Sequence, residues 1–382
     1  MIKKIMSRNR FLKLKHYFHL SDRKLEIKRN EENFSYTQKL EPFMSTLKKK
    51  CLDHFKPSKN ISIDEALIKF KGRLGIVQYM PMKPDKRGIK MWMMCTSHLG
   101  YTLGFDLYSG KNSSVQKSGK GLGYDVVMHL TQKLNVGHHI YFDRFFTSVD
   151  LMIALHKEGL WSCGTVNVTR KKMPQYMKNL KLLEKNNSKS VQCIEYPNLL
   201  CTAWLDKKQI MMLSTNSRSD ICEVTRRKGS EKQIVSCPSS FAVYNKNMGG
   251  VDLADQKRKY YTLSRKSSKW WIYLFSFLFD TAVNNAYIIY LTSNYPQPKQ
   301  NFQLYHFKLK LIEDIVQEYN VRKRKHPEDY SAHTHERQKI TGRKRTCVMC
   351  RKTGRKTLSG GQIESTWECG ICKMCLCKSC FD

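Results

Sequence analysis

His139-Ile140-Tyr141-Phe142-Asp143-Arg144-Phe145-Phe146-Thr147-Ser148 reads as a short apolar strand that stops on an acid, with a helix opening after Ser148. The helical pattern continues over residues 148–158, and another helix is expected before the strand at 124–134. Further out, Ile61-Ser62-Ile63 reads as a strand leading into Asp64, and 89–95 and 101–108 as two more. A Ser- and Gly-rich stretch at 110–123 is a loop. Strands and helices alternating in this way point to an α/β core with a mixed sheet. At 165–237 the texture changes to a β-rich insertion. Strands are expected at 191–196, 200–205 and 209–214, with Asp206-Lys207-Lys208 as a hairpin turn. Met248-Gly249-Gly250 then breaks the chain, and helices follow to about residue 321. Two helices are expected near the start. One covers 7–20, with Ser7 as cap and Phe11, Leu14 and Phe18 on one stripe; the other covers 43–55.

The charge narrows the partners. Lys plus Arg number 68 against 32 acids, a net charge of +36. Such a surplus repels itself in a compact body unless a polyanion is near. Nucleic acid is the favoured polyanion, because each neutralised phosphate releases a counterion. Anionic membrane is the rival. The start of the chain is basic and lacks the apolar core of a secretory leader. The apolar run 270–291 imitates a membrane span, but Asp280, Asn284 and Asn285 interrupt it. A charge at mid-span costs about 2.5–3.5 kcal/mol, so the run is expected to be a buried helix.

Seven of the 14 cysteines crowd into the last stretch: Cys347-x2-Cys350, eighteen residues, then Cys369-x2-Cys372-x2-Cys375-x-Cys377-x2-Cys380. Zinc takes four thiolate or imidazole ligands, and a C-x2-C turn offers two sulfurs to one ion. One or two zinc ions are expected, folding a segment with little core of its own. Seven cysteines are one short of two sites. His335 is the candidate eighth ligand, ahead of His333.

Three places carry acids with a chemical look. Asp64 is expected to end a strand, Asp143 follows one, and Asp252 opens a helix with Asp255 one turn on. Each alone reads as a cap or a surface ion pair. Together they suit two-metal phosphoryl transfer, which needs carboxylates converging on ions about 3.5–4 Å apart. The stretch from Phe70 to Lys90 supplies Lys83, Lys86, Arg87 and Lys90 on a proline-braced loop, suited to phosphates.

Taken together these blocks resemble the piggyBac transposase family. The matching residues are Ser7-Arg8-Asn9-Arg10-Phe11, Ser62-Ile63-Asp64-Glu65, the 70–90 block, Tyr141 through Ser148, Gly164-Thr165, and Tyr244 through Gln256. The resemblance implies a ribonuclease-H-like catalytic domain at 60–164 and 238–261, interrupted by the β-rich insertion at 165–237. It implies a helical dimerisation and DNA-binding domain split between 1–59 and 262–321. A basic linker at 322–345 and a cross-brace zinc domain at 346–382 complete the chain. Asp64, Asp143 and Asp252 match the family's catalytic, Mg²⁺-holding acids, and Asp255 matches a further important one. Arg144 and the Arg265, Lys266 and Lys269 motif join the expected DNA contacts. The implied activity is cutting transposon ends and joining them at TTAA targets, as a nuclear homodimer. The alternative is a host-retained DNA-binding derivative without catalysis. Members carry a longer, often acidic N-terminal region, so a shortened copy or alternative start is also expected. Cys347, Cys350, Cys369, Cys372, Cys377, Cys380 and His335 fit the family's zinc ligands. Cys375 either replaces a terminal histidine or stays a thiol.

Overall fold

The computed structural model describes residues 5–81, 83–110, 115–182, 184–293, 301–316 and 336–381. They form two compact units, one of Tyr17–Asp314 and one of Met1–His16 with Ile315–Asp382.

The larger unit is built on a nine-stranded sheet. In chain order its elements are α1 (Glu41–Asp53), β1 (Asn60–Lys69), β2 (Val77–Tyr79), β3 (Arg87–Thr96), β4 (Thr102–Leu107), α2 (Leu122–Thr131), β5 (His139–Phe142), α3 (Val149–Lys157) and β6 (Trp161–Val166). Then come β7 (Ser188–Gln192), β8 (Leu200–Leu205), β9 (Gln209–Ser214), the hairpin β10 (Ile221–Lys228) and β11 (Glu231–Pro238), α4 (Ser239–Asn247), α5 (Gly250–Tyr260) and α6 (Trp271–Thr292). The sheet order is β2-β3-β1-β5-β6-β9-β8-β7, with β4 also on β3. β1 runs antiparallel to β3 and parallel to β5, and β5 is parallel to β6. Parallel strands are covered on both faces, which is why β5 is apolar throughout its buried part, Ile140 to Phe142.

Helices cover both faces. Ile61, Ile63, Ile140 and Phe142 face a core that includes Val126 and Val127 of α2 and Leu151 and Leu155 of α3. Ala66, Ile68, Met91 and Met93 face a second core with Val251 and Ala254 of α5 and Leu274 and Leu278 of α6. Ser148 caps α3, its Oγ accepting from Leu151 N at 3.3 Å.

Four expectations change. Asp64 does not end its strand: β1 continues to Lys69, because β3 pairs with it to the Lys69↔Gly88 pair. The insertion is not separate from the core sheet, since β9 pairs antiparallel with β6 from Cys163↔Ser214 to Val166↔Met211. Only the β10–β11 hairpin forms a sheet of its own. The strand expected at 191–196 lies earlier, at Ser188–Gln192. Finally, the chain after Glu336 is not a bare linker, since Arg337–Lys339 and Arg345–Thr346 are strands.

The run that imitates a membrane span is α6, the one helix among the described residues long and apolar enough to cross a bilayer. Asn285 and Asp280 make their bonds inside the fold, while Asn284 is buried with its side-chain amide unpartnered. Asn285 accepts from Thr102 N at 2.9 Å and donates to Thr102 O at 2.8 Å. Asp280 accepts from Thr262 Oγ1 at 2.8 Å and Leu263 N at 3.0 Å. These bonds satisfy groups whose burial would otherwise cost roughly 1–3 kcal/mol each.

In the smaller unit, the strand Arg337–Lys339 pairs with Trp367–Cys369, and Arg345–Thr346 with Glu364–Ser365. The helices Val348–Lys352 and Lys378–Phe381 complete the cysteine-rich part. The helix Arg8–Tyr17 begins after Ser7, whose Oγ accepts from Arg10 N. The apolar stripe expected there divides. Phe11 and Leu14 are exposed, while Phe18 belongs to the larger unit and packs on Trp271 and Phe275.

Candidate active site and cysteine cluster

The last paired residues of β1 and β5 are Ile63↔Phe142. The next residue on each chain is an acid, Asp64 and Asp143, so the parallel register delivers two carboxylates side by side. Burial pushes the Asp64 carboxyl up to about 8; the charges of Glu65 and then Asp143 add to this, against the Glu65 N–H bond and Lys83. Asp143 is raised too, again mainly by burial. Its Oδ1 accepts from Phe145 N at 2.9 Å, which fixes the carboxylate on the β5–α3 turn.

Glu65, to which the sequence pattern assigns no role, is the centre of the basic contacts. It is nearly buried, with Lys83 Nζ at 3.3 Å from Oε1 and Lys90 Nζ at 3.7 Å from Oε2. Burial works against the charge on Lys83, but Glu65, Asp64 and Asp252 together hold its pKa above the ordinary value. On Lys90 burial wins over Glu65, Asp143 and Asp64, and the pKa falls. Lys90 also lies over the Trp92 ring at 4.0 Å and the Phe145 ring at 4.9 Å, a cation–π arrangement that keeps its ammonium at the acids. A sequence signal for Glu65 existed in its place beside Asp64. Locating its lysines required the β1–β3 register for Lys90 and the fold of the β2–β3 loop for Lys83.

Asp252 arrives on the first turn of α5, which packs on β1 and β3. The close approach explains the glycine before it. A Cβ on Gly250 would lie 2.4 Å from Ser62 Oγ and 2.6 Å from Thr96 O. Asp252, Asp255, Glu65, Lys83 and Asp85 line one cleft of ≈ 450 Å³. Asp255 is engaged differently: one carboxylate oxygen accepts from Arg258 Nη2, and Arg258 is buried over Phe277. Asp64, Asp143 and Asp252 thus approach the Glu65–Lys83 pair from three elements without closing to the mutual 4.8 Å that the four cysteines below reach, and Asp255 stands at the margin.

The other expected DNA-contacting cations divide. Lys83 and Lys90 turn inward to Glu65, whereas Lys86, Arg87, Arg144 and Lys266 are exposed. Arg265 is exposed but donates through Nη1 to Thr262 O and Ser264 O, bracing its own loop. Lys269 is half-buried before α6.

In the smaller unit the ligand atoms of Cys347, Cys350, Cys377 and Cys380 all lie within 4.8 Å of one another. Cys350 Sγ is 3.5 Å from both Cys377 Sγ and Cys380 Sγ. Four sulfurs around zinc at the usual bond length stand about 3.8 Å apart, so this donor set fits one tetrahedral zinc. Cys375 is not in the group. Its buried thiol donates to Arg345 O at 3.1 Å. Cys369 and Cys372 lie at a separate turn, where Cys372 N donates to Cys369 Sγ at 3.5 Å and Gly370 N to Glu336 O at 2.9 Å. His333 and His335 lie outside the described residues.

A mixed α/β body with clustered carboxylates on a strongly basic chain has the makings of a nucleic-acid-processing protein. The transposase family described as Transposase IS4 matches residues 1–287, and the chain belongs to this family, that of the piggyBac transposases. It is 28% identical over 294 residues to human PiggyBac transposable element-derived protein 3, covering 75% of this chain and 49% of that protein. Against human PiggyBac transposable element-derived protein 2 it is 28% identical over 238 residues, 59% of this chain and 39% of the relative. The chain thus spans half or less of the length of these two relatives. Its fold is similar to that of a piggyBac transposase solved by cryo-EM in a synaptic complex with hairpin DNA. The TM-score is 0.75 at 24% identity, over 99% of this chain and 79% of that one.

Proposed function

We propose that this protein is a piggyBac-type DNA transposase, a divalent-metal-dependent strand transferase whose catalytic acids are Asp64, Asp143 and Asp252. The observation that carries the reading is the position of Asp64 and Asp143, each one residue beyond the last β1–β5 pair, Ile63↔Phe142, with α5 packing Asp252's turn on the same strand. The strand order β4-β3-β1-β5-β6, with β1, β5 and β6 parallel and β3 antiparallel, supports a ribonuclease-H-like core.

The donor set is chemically suited to Mg²⁺: hard carboxylate oxygens, two of them on acids whose pKa values are raised by burial first and by neighbouring carboxylates after it, both of which a cation would offset. A bound metal would activate water or a 3′ hydroxyl and stabilise the leaving oxygen. The chain's own residues do the rest. Glu65 holds Lys83 and Lys90 at the carboxylates, where their ammonium groups meet a phosphate entering the cleft. The Phe145 N–H keeps Asp143 in position. Lys86, Arg87, Arg144, Lys266 and Lys269 contact the DNA backbone outside the cleft, and Arg265 shapes the loop that carries Lys266. Asp255 acts by orienting Arg258, three residues on along α5, over the Phe277 ring of α6. The zinc module, with Cys347, Cys350, Cys377 and Cys380 as one site and Cys369, Cys372 and His335 in another, holds transposon-end DNA. The protein works in the nucleus as a homodimer at TTAA targets.

Cleavage and strand transfer on family-type ends with Mg²⁺, comparing wild type with Asp143→Asn, tests this. Metal-dependent products from the wild type alone are expected; equal products from both would remove Asp143 from the mechanism. The curated relatives are transposable-element-derived proteins, which favours one second reading. Specific DNA binding without cleavage by the wild type would establish a host-retained DNA-binding protein.

A further inference from the structure

At the end of the sheet opposite the acids, the first residues of β1, β5 and β6 pair in register as Asn60↔His139 and His139↔Trp161. Beside them lies a cleft of ≈ 670 Å³, larger than the one at Asp252. Four residues of β5 separate the two ends, about 13 Å of strand. Lys59, Arg218, His139, Trp161, Asn198 and Asn216 are among the residues lining the cleft, and no carboxylate is among those described. Its polar groups are already ordered. Asn216 Nδ2 donates to Tyr141 OH at 3.2 Å and lies 3.3 Å from His139 Nδ1, while Tyr141 OH donates to Asn60 Oδ1 at 3.1 Å. Asn216 thereby occupies Nδ1 as an acceptor, leaving the ring proton of neutral His139 on Nε2, a donor. Burial, then the charge of Lys59, then His138 push the His139 pKa down to about 4. Lys59 and Arg218 thus bring two positive charges to the cleft, with no acid among its described lining residues to balance them.

We propose that this cleft binds a backbone phosphate of a DNA strand, with Lys59 and Arg218 neutralising it and Trp161 flanking the adjoining nucleotide. The contact is independent of strand transfer and adds a DNA-binding surface at the far end of the sheet from the catalytic acids. A phosphate paired to two cations is worth more than a rim contact only if the cleft orders both of them. Hence the effect should be local and not a matter of net charge.

The test uses the full chain and fluorescence anisotropy with a labelled, 5′-phosphorylated single-stranded hexanucleotide. Lys59→Gln with Arg218→Gln should weaken binding about tenfold and reduce the salt slope by about 0.7 for each phosphate no longer neutralised. Lys207→Gln with Lys208→Gln, which removes the same charge from the β8–β9 turn, should change binding by less than about twofold. Equal losses in the two double variants, or none in either, would overturn the proposal. Independently of any variant, the His139 ring resonances of histidine-labelled wild type should shift on adding the strand, and unmoved resonances would overturn it as well. If inorganic phosphate gives the same shift at the same concentration as the strand, the site takes a free anion and the DNA assignment falls. Repeating the titration in EDTA separates the two readings: the difference between wild type and the Lys59→Gln, Arg218→Gln variant should persist without divalent metal, whether or not the wild type cleaves DNA, and its disappearance would overturn the proposal.

Discussion

Replacing Asp64 by asparagine should make the metal-free protein more stable at neutral pH. The carboxyl ionises near 4 in an unfolded chain but only at about 8 in the fold, where burial and the charges of Glu65 and Asp143 oppose its ionisation. Between those values the folded protein keeps a proton that the unfolded chain has released. Stability therefore falls as pH rises from about 4 to about 8. Each pH unit spanned is worth about 1.4 kcal/mol, so at pH 7 the ceiling is about 4 kcal/mol. Relaxation and water entry at a half-exposed cleft reduce this, and a gain of about 1–2 kcal/mol is expected for Asp64→Asn. Asparagine keeps the acceptor that takes the Glu65 N–H at 2.8 Å, so little is lost in exchange. At about 2–4 °C per kcal/mol, scanning calorimetry in EDTA-free, metal-free buffer should show the variant melting several degrees above wild type at pH 7. The gap should close near pH 4.5. Added Mg²⁺ should raise the wild-type midpoint and leave the variant's unchanged. A variant that melts lower at pH 7, or a gap that does not vary with pH, would refute the reasoning.

Three further outcomes follow from the same contacts. Glu65→Gln frees Lys83 and Lys90 to pair with Asp64 and Asp143, so the Mg²⁺ concentration for half-maximal activity should rise about tenfold, a shift of about 1.4 kcal/mol. Metal titrations of activity would show it. Gly250→Ala drives a methyl into Ser62 Oγ and Thr96 O and should cost about 1–3 kcal/mol in urea unfolding; Ser62→Ala should restore only part, because the carbonyl remains. In the cysteine-rich unit, Cys350→Ser should lower the zinc content by one ion per chain by elemental analysis, whereas Cys375→Ser should leave it unchanged.

What could be read ahead of the structure was local. β5 was bounded by its acid and by Ser148, the β8–β9 hairpin by Asp206-Lys207-Lys208, and α6 by its apolar length. All three signals sit within a few residues of the element they define. The misreadings concern partners far along the chain. Glu65 breaks the apolar run after Asp64, which suggested a strand end. β1 nevertheless continues, because β3 supplies hydrogen bonds along its whole length while β5 supplies them only to Ile63. The insertion looked separate because no local pattern announces that β9 will pair with β6. The pairing of Arg337–Lys339 with Trp367–Cys369 was hidden inside a run of charges, since a two-stranded ribbon ordered by a cysteine turn needs few apolar residues. The acids were visible one by one. Their company, Glu65 with its two lysines, depended on the β1–β3 register for Lys90 and on the β2–β3 loop for Lys83.

The central claim is that Asp64, Asp143 and Asp252 form one divalent-metal centre. Mn²⁺ binding followed by electron paramagnetic resonance addresses it without any knowledge of the transposon end. Wild type should bind two Mn²⁺ ions close enough, about 3.5–4 Å apart, to show a spin-coupled signal, and Asp143→Asn should lose it. The same uncoupled signal from both proteins would contradict the account.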